Sequence, residues 1–298
     1  MLDSERASKR PRIGFIGIGL MGEAMTRRLL DQGWQVSVWN LEPERVDTVV
    51  PFGAIPCSSP AVVAEASDIV LVCVLHTEAV ENCVFGERGV AQARAAPRIL
   101  VDFSTIDPAA TRKFATRLRE STGVGWVDAP VSGGPDGARK GELTVMAGGA
   151  VGDVEAVRSV IACLATNLTR MGEVGAGQTT KMVNQAIVGA GFVVMAEALV
   201  LAERSGIDAA RLPACLAGGF ADSGLLRKIY PQMQARAFDP PKGYARQLLK
   251  DLNALSDFAR GLGLDLPMVE TARRQYTTHI ERGNGMRDTA TIVERYKQ

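Results

Sequence analysis

The chain has 298 residues, 46% of them hydrophobic and 22% charged, which is enough for about two domains and excludes disordered, collagen-like and disulfide-scaffold proteins. With 34 Lys and Arg against 33 Asp and Glu, the formal charge of +1 offers no excess of positive charge to a nucleic acid or an anionic membrane. We therefore expect a small-molecule partner, with no nucleic-acid and no membrane partner.

The N-terminus and the cysteines bear on where the protein works. Residues 1–11 are charged and lack the apolar stretch of a secretory signal, so we expect a disordered tail. The chain has five cysteines with no CxxC spacing, and they are Cys57, Cys73, Cys83, Cys163 and Cys215. Such a set is typical of reduced thiols, so we expect a cytoplasmic protein.

Short β-rich runs alternate with stretches of helical spacing through the first half of the chain. The runs are residues 12–18, 35–39, 69–75, 99–103 and 125–128, and a further apolar run at 143–147 ends this region. Strand-helix alternation predicts a parallel sheet covered on both faces. Residues 12–174 are therefore predicted to form an α/β domain with a doubly wound, mainly parallel sheet.

The second half has a different character. From about Gly177 the β-rich runs stop and the composition turns to Ala, Leu, Arg and Glu, so residues 175–298 are predicted to form an all-α domain. A long helix from about Gln178 to Arg204 is predicted to join the two domains. Its apolar stretch, residues 186–202, is slightly short for a membrane span, and we interpret it as a core helix.

A glycine-rich segment directly follows the first predicted strand and opens a helical stretch. It fits the pattern GxGxxG with Gly17, Ile18, Gly19, Leu20, Met21 and Gly22. In a βαβ unit, the first glycine permits a tight turn, the second lets the backbone approach a pyrophosphate, and the third lets helix and strand pack closely. The placement predicts a Rossmann-type domain in which these six residues bind a dinucleotide.

The residues after the second predicted strand bear on which dinucleotide binds. A carboxylate at this place bonds the ribose 2′-hydroxyl of NAD, whereas an arginine accommodates the 2′-phosphate of NADP. Here Asn40 excludes neither cofactor, Glu42 favours NAD, and Arg45 favours NADP. The sequence therefore leaves NAD and NADP both open.

Two further segments carry polar groups suited to a small carboxylate substrate. Ser132, Gly133 and Gly134 follow a predicted strand and can turn a hydroxyl and backbone N–H groups toward an anion. Lys181, with Asn184 and Gln185 at i+3 and i+4, would project from one face near the start of the long helix. Because desolvation lowers the pKa of a lysine, such a group can act as a general acid or base near neutrality.

Together these segments resemble the β-hydroxyacid dehydrogenase family, which includes 3-hydroxyisobutyrate dehydrogenases, tartronate semialdehyde reductases and glyoxylate reductases. The resemblance covers essentially all of the chain after the tail. It rests on GFIGIGLMGEAM at residues 14–25, DAPVSGG at 128–134, GAGQTTKMVNQ at 175–185, and a late KD-L segment at 250–252. These four segments stand in the order and spacing of the family.

The resemblance implies a role for each matching residue. Lys181 resembles the catalytic lysine of the family and Asn184 its substrate-orienting amide, whereas Ser132, Gly133 and Gly134 match residues that hold the substrate carboxylate. The family often has a second asparagine where this chain has Gln185, which we place among the substrate contacts. The expected cofactor contacts beyond the glycine-rich segment are Asn40, Leu75, Thr105 and Lys250.

The resemblance implies hydride transfer between NAD or NADP and a small β-hydroxy acid or its semialdehyde. Two alternatives remain, an enzyme similar to imine reductases and a dinucleotide-binding sensor without catalysis; Lys181 argues against the first, because imine reductases usually have Asp or Tyr there. The two histidines, His76 and His279, lack metal-ligand spacing, and we expect no metal site. We also expect a homodimer or homotetramer formed through the helical domain.

Overall fold

The structure, a computed structural model, describes residues 10–296. Apart from Arg10 and Pro11, the predicted tail at residues 1–11 therefore lies outside the described residues, and its disorder stays a prediction. Arg10 donates from Nη1 to the carbonyl oxygen of Gln32 at 2.9 Å, and its guanidinium lies over the ring of Trp34. Arg10 is thus held against the first domain.

Within the described part of the chain, nine strands form one sheet. They are β1 Ile13–Ile16, β2 Val36–Trp39, β3 Ile55–Pro56, β4 Ile69–Val72, β5 Ile99–Asp102, β6 Gly125–Asp128, β7 Val131–Ser132, β8 Leu143–Gly148 and β9 Ala165–Gly172. Their order is β3-β2-β1-β4-β5-β6-β8-β7, with β9 paired to β8. Strands β1 to β6 pair in parallel, while β8 is antiparallel to β6 and β7. The predicted mainly parallel sheet is confirmed, and its first six strands have the order of dinucleotide-binding domains.

The observed strands differ from the predicted runs at their ends. The run predicted at residues 12–18 stops at Ile16 because a tight turn begins at Gly17, and the run at 69–75 stops at Val72. Strands β3 and β7 were not predicted, since two-residue strands leave no periodic pattern. Strand β9 was also not predicted. Its sequence, ATNLTRMG, contains no apolar run, and all but the first of its residues are exposed or half-buried.

Helices cover both faces of this sheet. They are α1 Leu20–Asp31, α2 Pro43–Val46, α3 Pro60–Glu65, α4 Thr77–Phe85, α5 Pro108–Thr122, α6 Gly134–Lys140 and α7 Val151–Ile161. Proline opens α2, α3 and α5, where the missing N–H costs no hydrogen bond. Alternate strand residues enter different buried clusters, so that Leu71 packs in one and Val70 and Val72 in the other. This is the doubly wound arrangement that the sequence predicted.

The remainder of the described chain is helical. It contains α8 Ala176–Arg204, α9 Leu212–Cys215, α10 Gly224–Gln234, α11 Ala245–Gly261 and α12 Pro267–His279, followed by short helical turns at Ile280–Asn284 and Thr289–Tyr296. Its separate core includes the buried side chains of Tyr230, Leu252 and Tyr276. The predicted all-α second half is confirmed.

The chain divides into two compact units within α8. The first unit ends at Lys181 and the second begins at Met182. Residues 176–181 thus belong with the sheet, whereas we predicted a boundary between residues 174 and 175. The first turns of α8 are anchored to strand ends, as described below, and this accounts for the later division.

Helix α8 carries many exposed apolar side chains. Among the described residues it is the one helix long and apolar enough to cross a membrane by length and composition, and about a third of its most apolar window is buried. Val183, Ile187, Val194 and Leu201 are between 44% and 69% exposed. They follow one another at helical spacing, so they form an apolar stripe, which we call the α8 stripe.

Candidate active site and cofactor site

The glycine turn, residues 17–22, accepts only glycine at two of its positions. Gly17 has a φ of +99°, and a Cβ atom there would lie 2.3 Å from the carbonyl oxygen of Cys73. A Cβ atom on Gly22 would lie 1.8 Å from the carbonyl oxygen of Gly17. Both contacts are with backbone atoms, which cannot move aside without a large cost. Glycine at these two positions therefore allows α1 to start close to β1.

The middle glycine of the turn, Gly19, has open space around it. Gly19 precedes α1 without a side-chain cap, and a Cβ atom there would meet nothing within 4 Å. The N–H groups in the first turn of a helix have no partner within the helix, and together with the helix dipole they favour an anion. Leu20 and Met21 belong to this first turn, and Ile18 lies in the turn before it. The glycine turn therefore fits a dinucleotide pyrophosphate.

Three other predicted cofactor contacts follow strands of the same parallel sheet. Asn40 follows β2, Leu75 lies beyond β4, and Thr105 lies beyond β5. The carboxyl ends of parallel strands lie at one edge of a sheet, which is where ligands bind in such folds. Leu75 is 41% exposed and Thr105 is half-buried, so both are accessible at this edge.

Asp128, at the end of β6, anchors the start of α8. Its buried carboxylate accepts hydrogen bonds from the N–H of Gly175 at 2.8 Å and from the N–H of Gln178 at 2.9 Å. Burial raises the pKa of Asp128, while the backbone N–H groups oppose that shift. A residue 47 positions earlier in the chain thus fixes the helix that carries Lys181.

Gln178 ties the same helix turn to the segment after β5. Its Nε2 donates to the carbonyl oxygen of Ser104 at 2.7 Å, and its Oε1 accepts from the N–H of Ile106 at 3.2 Å. The side chain is fully buried. These bonds lie on both sides of Thr105. Gln178 therefore fixes the position of this predicted cofactor contact relative to the helix turn that precedes Lys181.

Lys181 lies against the segment predicted to bind the substrate carboxylate. Its side chain is only 7% exposed, and Nζ donates to the carbonyl oxygen of Val131 at 2.8 Å. Ser132 follows Val131 in β7 and is half-buried, and Gly133 and Gly134 have φ values of +130° and +67°. The structure thus brings the lysine beside the Ser132 segment within the first unit.

In the second unit two hydrogen bonds and an ion pair join four polar side chains. Asn184 donates from Nδ2 to Oε1 of Gln185 at 2.7 Å, and Gln185 donates from Nε2 to Oδ2 of Asp251 at 2.6 Å. Lys250 Nζ lies 2.8 Å from the other oxygen, Oδ1. A carboxylate only accepts hydrogen bonds, so Asp251 fixes the amide orientation of Gln185 and, through it, that of Asn184.

Gln185 is 5% exposed and its amide is engaged on both sides by these bonds. Its contact with substrate stays a prediction, and the structure adds its role as the link between Asn184 and Asp251. Sequence reasoning did not single out Asp251 or Gln178 as site residues. Both stand within motifs already identified, but only their long-range hydrogen bonds reveal what they hold.

Each of the two histidines has a hydrogen-bond partner within the protein. Among residues 10–296 there is no group of three or more His, Cys, Asp and Glu side chains that could hold a metal ion. His76 instead caps α4, where its Nδ1 accepts from the N–H of Ala79 at 3.1 Å. His279 is buried in the second unit and bonds Thr291.

A sheet of this strand order with a glycine turn after β1, followed by a helical domain, defines a dinucleotide-binding protein. Family models agree. The NAD-binding domain of 6-phosphogluconate dehydrogenase matches residues 12–172, and the NAD-binding domain of NADP-dependent 3-hydroxyisobutyrate dehydrogenase matches residues 175–296. The matches thus follow the two parts of the fold, sheet and helices, with little left over.

Individual relatives match over nearly the whole chain. The chain is 37% identical to 2-hydroxy-3-oxopropionate reductase of Escherichia coli, over 95% of this chain and 96% of the relative. It is 30% identical to a probable mitochondrial 3-hydroxyisobutyrate dehydrogenase of Dictyostelium discoideum, over 96% of this chain and 91% of the relative. The crystal structure of 3-hydroxyisobutyrate dehydrogenase from Salmonella typhimurium superposes with a TM-score of 0.84 at 27% identity, covering 96% of this chain and 99% of that one.

These similarities extend through both domains, and the residues matched by the two family models span the positions of all four motifs. The chain belongs to the β-hydroxyacid dehydrogenase family and is an NAD(P)-dependent oxidoreductase. Of the three functions that the sequence left open, family membership selects the dehydrogenase over the imine reductase and the sensor.

Proposed function

We propose that this enzyme interconverts a small β-hydroxy acid and its semialdehyde, of the 3-hydroxyisobutyrate or 2-hydroxy-3-oxopropionate type, with Lys181 as general acid and base. The names of two relatives above denote activity on such compounds. The observation that carries the proposal is the 2.8 Å bond from Lys181 Nζ to Val131, because it holds a buried amine next to Ser132.

Lys181 supplies the proton transfer in this proposal. The Val131 carbonyl takes one N–H bond and directs Nζ, so that in reduction the ammonium gives a proton to the aldehyde oxygen. In oxidation the amine takes the proton of the substrate hydroxyl. The nicotinamide, when bound, donates the hydride in reduction and accepts it in oxidation.

The other site residues bind and orient the reactants. The hydroxyl of Ser132 and the backbone N–H groups of Gly133 and Gly134 hold the substrate carboxylate, which fixes the carbon that reacts. Asn184 orients the reacting oxygen, in an amide position set through Gln185. The glycine turn holds the pyrophosphate, and the cofactor contacts beyond it are Asn40, Leu75, Thr105 and Lys250.

The experiment follows the absorbance of reduced nicotinamide with NADH and NADPH across a panel of small semialdehydes and 3-hydroxy acids. We expect Lys181→Ala to lower turnover by about 10² or more while dinucleotide affinity stays within a few-fold. Lys113→Ala removes an exposed lysine of the same unit and serves as the matched control. Full turnover by Lys181→Ala would contradict the assigned role, and turnover of imines alone would contradict the substrate class.

The same proposal includes a homodimer or homotetramer formed through the helical domain. The α8 stripe supports it, since contiguous exposed apolar side chains mark protein–protein interfaces more often than free surface. Light scattering at micromolar concentration should show more than one copy, and Ile187→Asp should shift the population toward monomer. A wild-type monomer would overturn this part.

We also propose that the enzyme works in the cytoplasm without a nucleic-acid or membrane partner. The near-zero net charge supports this, and so does the set of five cysteines without CxxC spacing. Cell fractionation should find the protein in the soluble fraction. Recovery with membranes would instead assign the α8 stripe to a lipid contact.

A further inference from the structure

The residue after β2 connects the glycine turn to an acidic side chain. The N–H of Ile18 donates to Oδ1 of Asn40 at 2.7 Å. Asn40 donates in turn from Nδ2 to Oε2 of Glu42 at 2.8 Å and to the carbonyl oxygen of Glu42 at 3.1 Å. Because Oδ1 accepts from a backbone N–H, the amide can present only its NH₂ to Glu42, and the carboxylate is held beside the turn.

This position lies where a dinucleotide places its adenosine ribose. Strands β1 and β2 pair in parallel with Ile16 opposite Trp39, and the N–H of Gly17 donates to the carbonyl oxygen of Trp39 at 2.9 Å. The turn after β1 takes the pyrophosphate, so the end of β2 lies next to the ribose attached to it. Asn40 therefore holds the carboxylate of Glu42 beside the pyrophosphate turn.

The chemistry of the loop favours a hydroxyl over a phosphate. A carboxylate accepts hydrogen bonds at both oxygens, so Glu42 can bond Asn40 and still accept from a ribose hydroxyl. A 2′-phosphate at the same place would bring a second anion against it. Leu41, which precedes Glu42, is 75% exposed and offers no donor to a phosphate.

We propose that Glu42, held by Asn40, selects NAD(H) over NADP(H) in this enzyme by accepting the 2′-hydroxyl of the adenosine ribose and repelling a 2′-phosphate. The proposal concerns binding of the dinucleotide alone and does not depend on the proposed substrate. Arg45, exposed on α2, is the cation of this loop that could read a phosphate instead, and it defines the competing outcome.

Equilibrium binding without substrate tests the proposal. Fluorescence titration with NADH and NADPH should give a wild-type Kd for NADPH at least about tenfold above that for NADH. Glu42→Gln should bring the two Kd values to within about threefold of each other, chiefly by lowering the Kd for NADPH. Adenosine 5′-monophosphate and adenosine 2′,5′-bisphosphate, as competitors that lack nicotinamide, should show the same preference and the same loss of it.

Matched variants separate this mechanism from a general charge effect. Glu44→Gln removes an exposed carboxylate from the first turn of α2, two residues further along the chain, and should leave the ratio of the NADPH Kd to the NADH Kd unchanged. Asn40→Ala should weaken the binding of both dinucleotides and lower the ratio of the NADPH Kd to the NADH Kd, because it removes the hydrogen bonds to Ile18 and Glu42 together. Thermal melting of each variant verifies folding before titration.

Three results would overturn the proposal. The first is equal wild-type binding of NADH and NADPH, or tighter binding of NADPH. The second is a Glu44→Gln variant that changes the ratio as much as Glu42→Gln. The third is an Arg45→Ala variant that selectively loses NADPH affinity while Glu42→Gln has no effect, which would assign the ribose end to Arg45.

Discussion

Gln178 and Ser104 are joined by a buried hydrogen bond of 2.7 Å, although they lie 74 positions apart in the chain. Together with the bond from Ile106, it makes one glutamine the link between the Thr105 segment and the helix turn before Lys181. Because this buried side chain bonds both segments, we expect Gln178 to position both groups.

Gln178→Ala should impair chemistry more than dinucleotide binding. The substitution leaves the Ser104 carbonyl and the Ile106 N–H unpaired, at a cost of about 1 to 3 kcal/mol in the free energy of unfolding for each buried group. Urea unfolding, steady-state kinetics and NADH titration measure the three effects. We expect kcat to fall about tenfold or more, with a smaller change in Kd.

Gln32→Ala, which truncates an exposed glutamine of the same unit, is the control and should behave like wild type. An unchanged kcat for Gln178→Ala would show that Lys181 and Thr105 keep their places without the bridge.

Two glycines of the same turn should respond to alanine in opposite ways. Gly22→Ala puts a Cβ atom 1.8 Å from a backbone oxygen, so this variant should unfold at clearly lower urea concentration or fail to fold. Gly19→Ala meets no protein atom within 4 Å, and its stability should stay near that of wild type. Its Cβ atom would occupy space needed by the pyrophosphate, so NADH affinity should fall about tenfold or more. Tight NADH binding by Gly19→Ala would place the pyrophosphate elsewhere.

Asp251→Asn should change substrate handling through two intermediate side chains. An asparagine can donate as well as accept, so Gln185 and Asn184 are no longer confined to one amide orientation. We expect kcat/KM for the hydroxy acid to fall about tenfold, which corresponds to about 1.4 kcal/mol. NADH affinity should change less unless Lys250 also shifts.

Asp257→Asn alters an exposed carboxylate on the same helix, α11, and is the matched control. A double variant, Asn184→Ala with Asp251→Asn, should be no worse than Asn184→Ala alone if Asp251 acts through that amide. Additive losses would contradict this route.

His279 should make the second unit less stable in mild acid. Burial, followed by the nearby Arg295, Arg287 and Arg282, lowers its pKa from 6.5 to about 4, against an opposing effect of Glu294. Thr291 donates its hydroxyl proton to the carbonyl oxygen of Asp288, so His279 Nε2 donates to Thr291, and this bond fixes the tautomer of the neutral ring. The folded state therefore resists a proton that the unfolded chain accepts.

The contribution of His279 is fully present above pH 6.5 and is lost as the pH falls toward 4, by at most about 3 kcal/mol. Urea unfolding at several pH values measures it. His279→Gln should flatten the pH dependence between 6.5 and 4 relative to wild type, since the carboxylates titrate in both proteins. Equal slopes would contradict a neutral buried histidine.

Much of the fold was predictable because the strands of the first unit are short apolar runs and its helices have strong start signals. Strand β6 was placed at its observed bounds, residues 125–128, and the glycine turn was identified from its spacing and its position between a predicted strand and a predicted helix. Strand β9 could not be predicted, since it forms by pairing with β8 rather than by any pattern of its own.

The site was predictable only in part, for a similar reason. Lys181 and Ser132 stand in recognisable motifs, but their proximity depends on contacts of Asp128, Gln178 and Val131 that each span 50 positions or more. A hydrogen bond between distant residues leaves no periodicity in the sequence. Asp251 escaped notice for the same reason, although its neighbour Lys250 was identified.

The residues near the proposed ribose site and the residues around Lys181 differ in how easily they tolerate substitution. Leu41, Glu42 and Glu44 are exposed residues in and just before α2, where substitutions usually alter the free energy of unfolding by no more than about 0.5 kcal/mol. Asp128 and Gln178 are buried and hydrogen-bonded to each other, and the same helix carries the buried Lys181, so a change at one of them disturbs the others. If Glu42 selects the dinucleotide and Lys181 transfers the proton, as we propose, lineages of this protein can change their dinucleotide preference through a few tolerated substitutions while the residues of proton transfer stay the same.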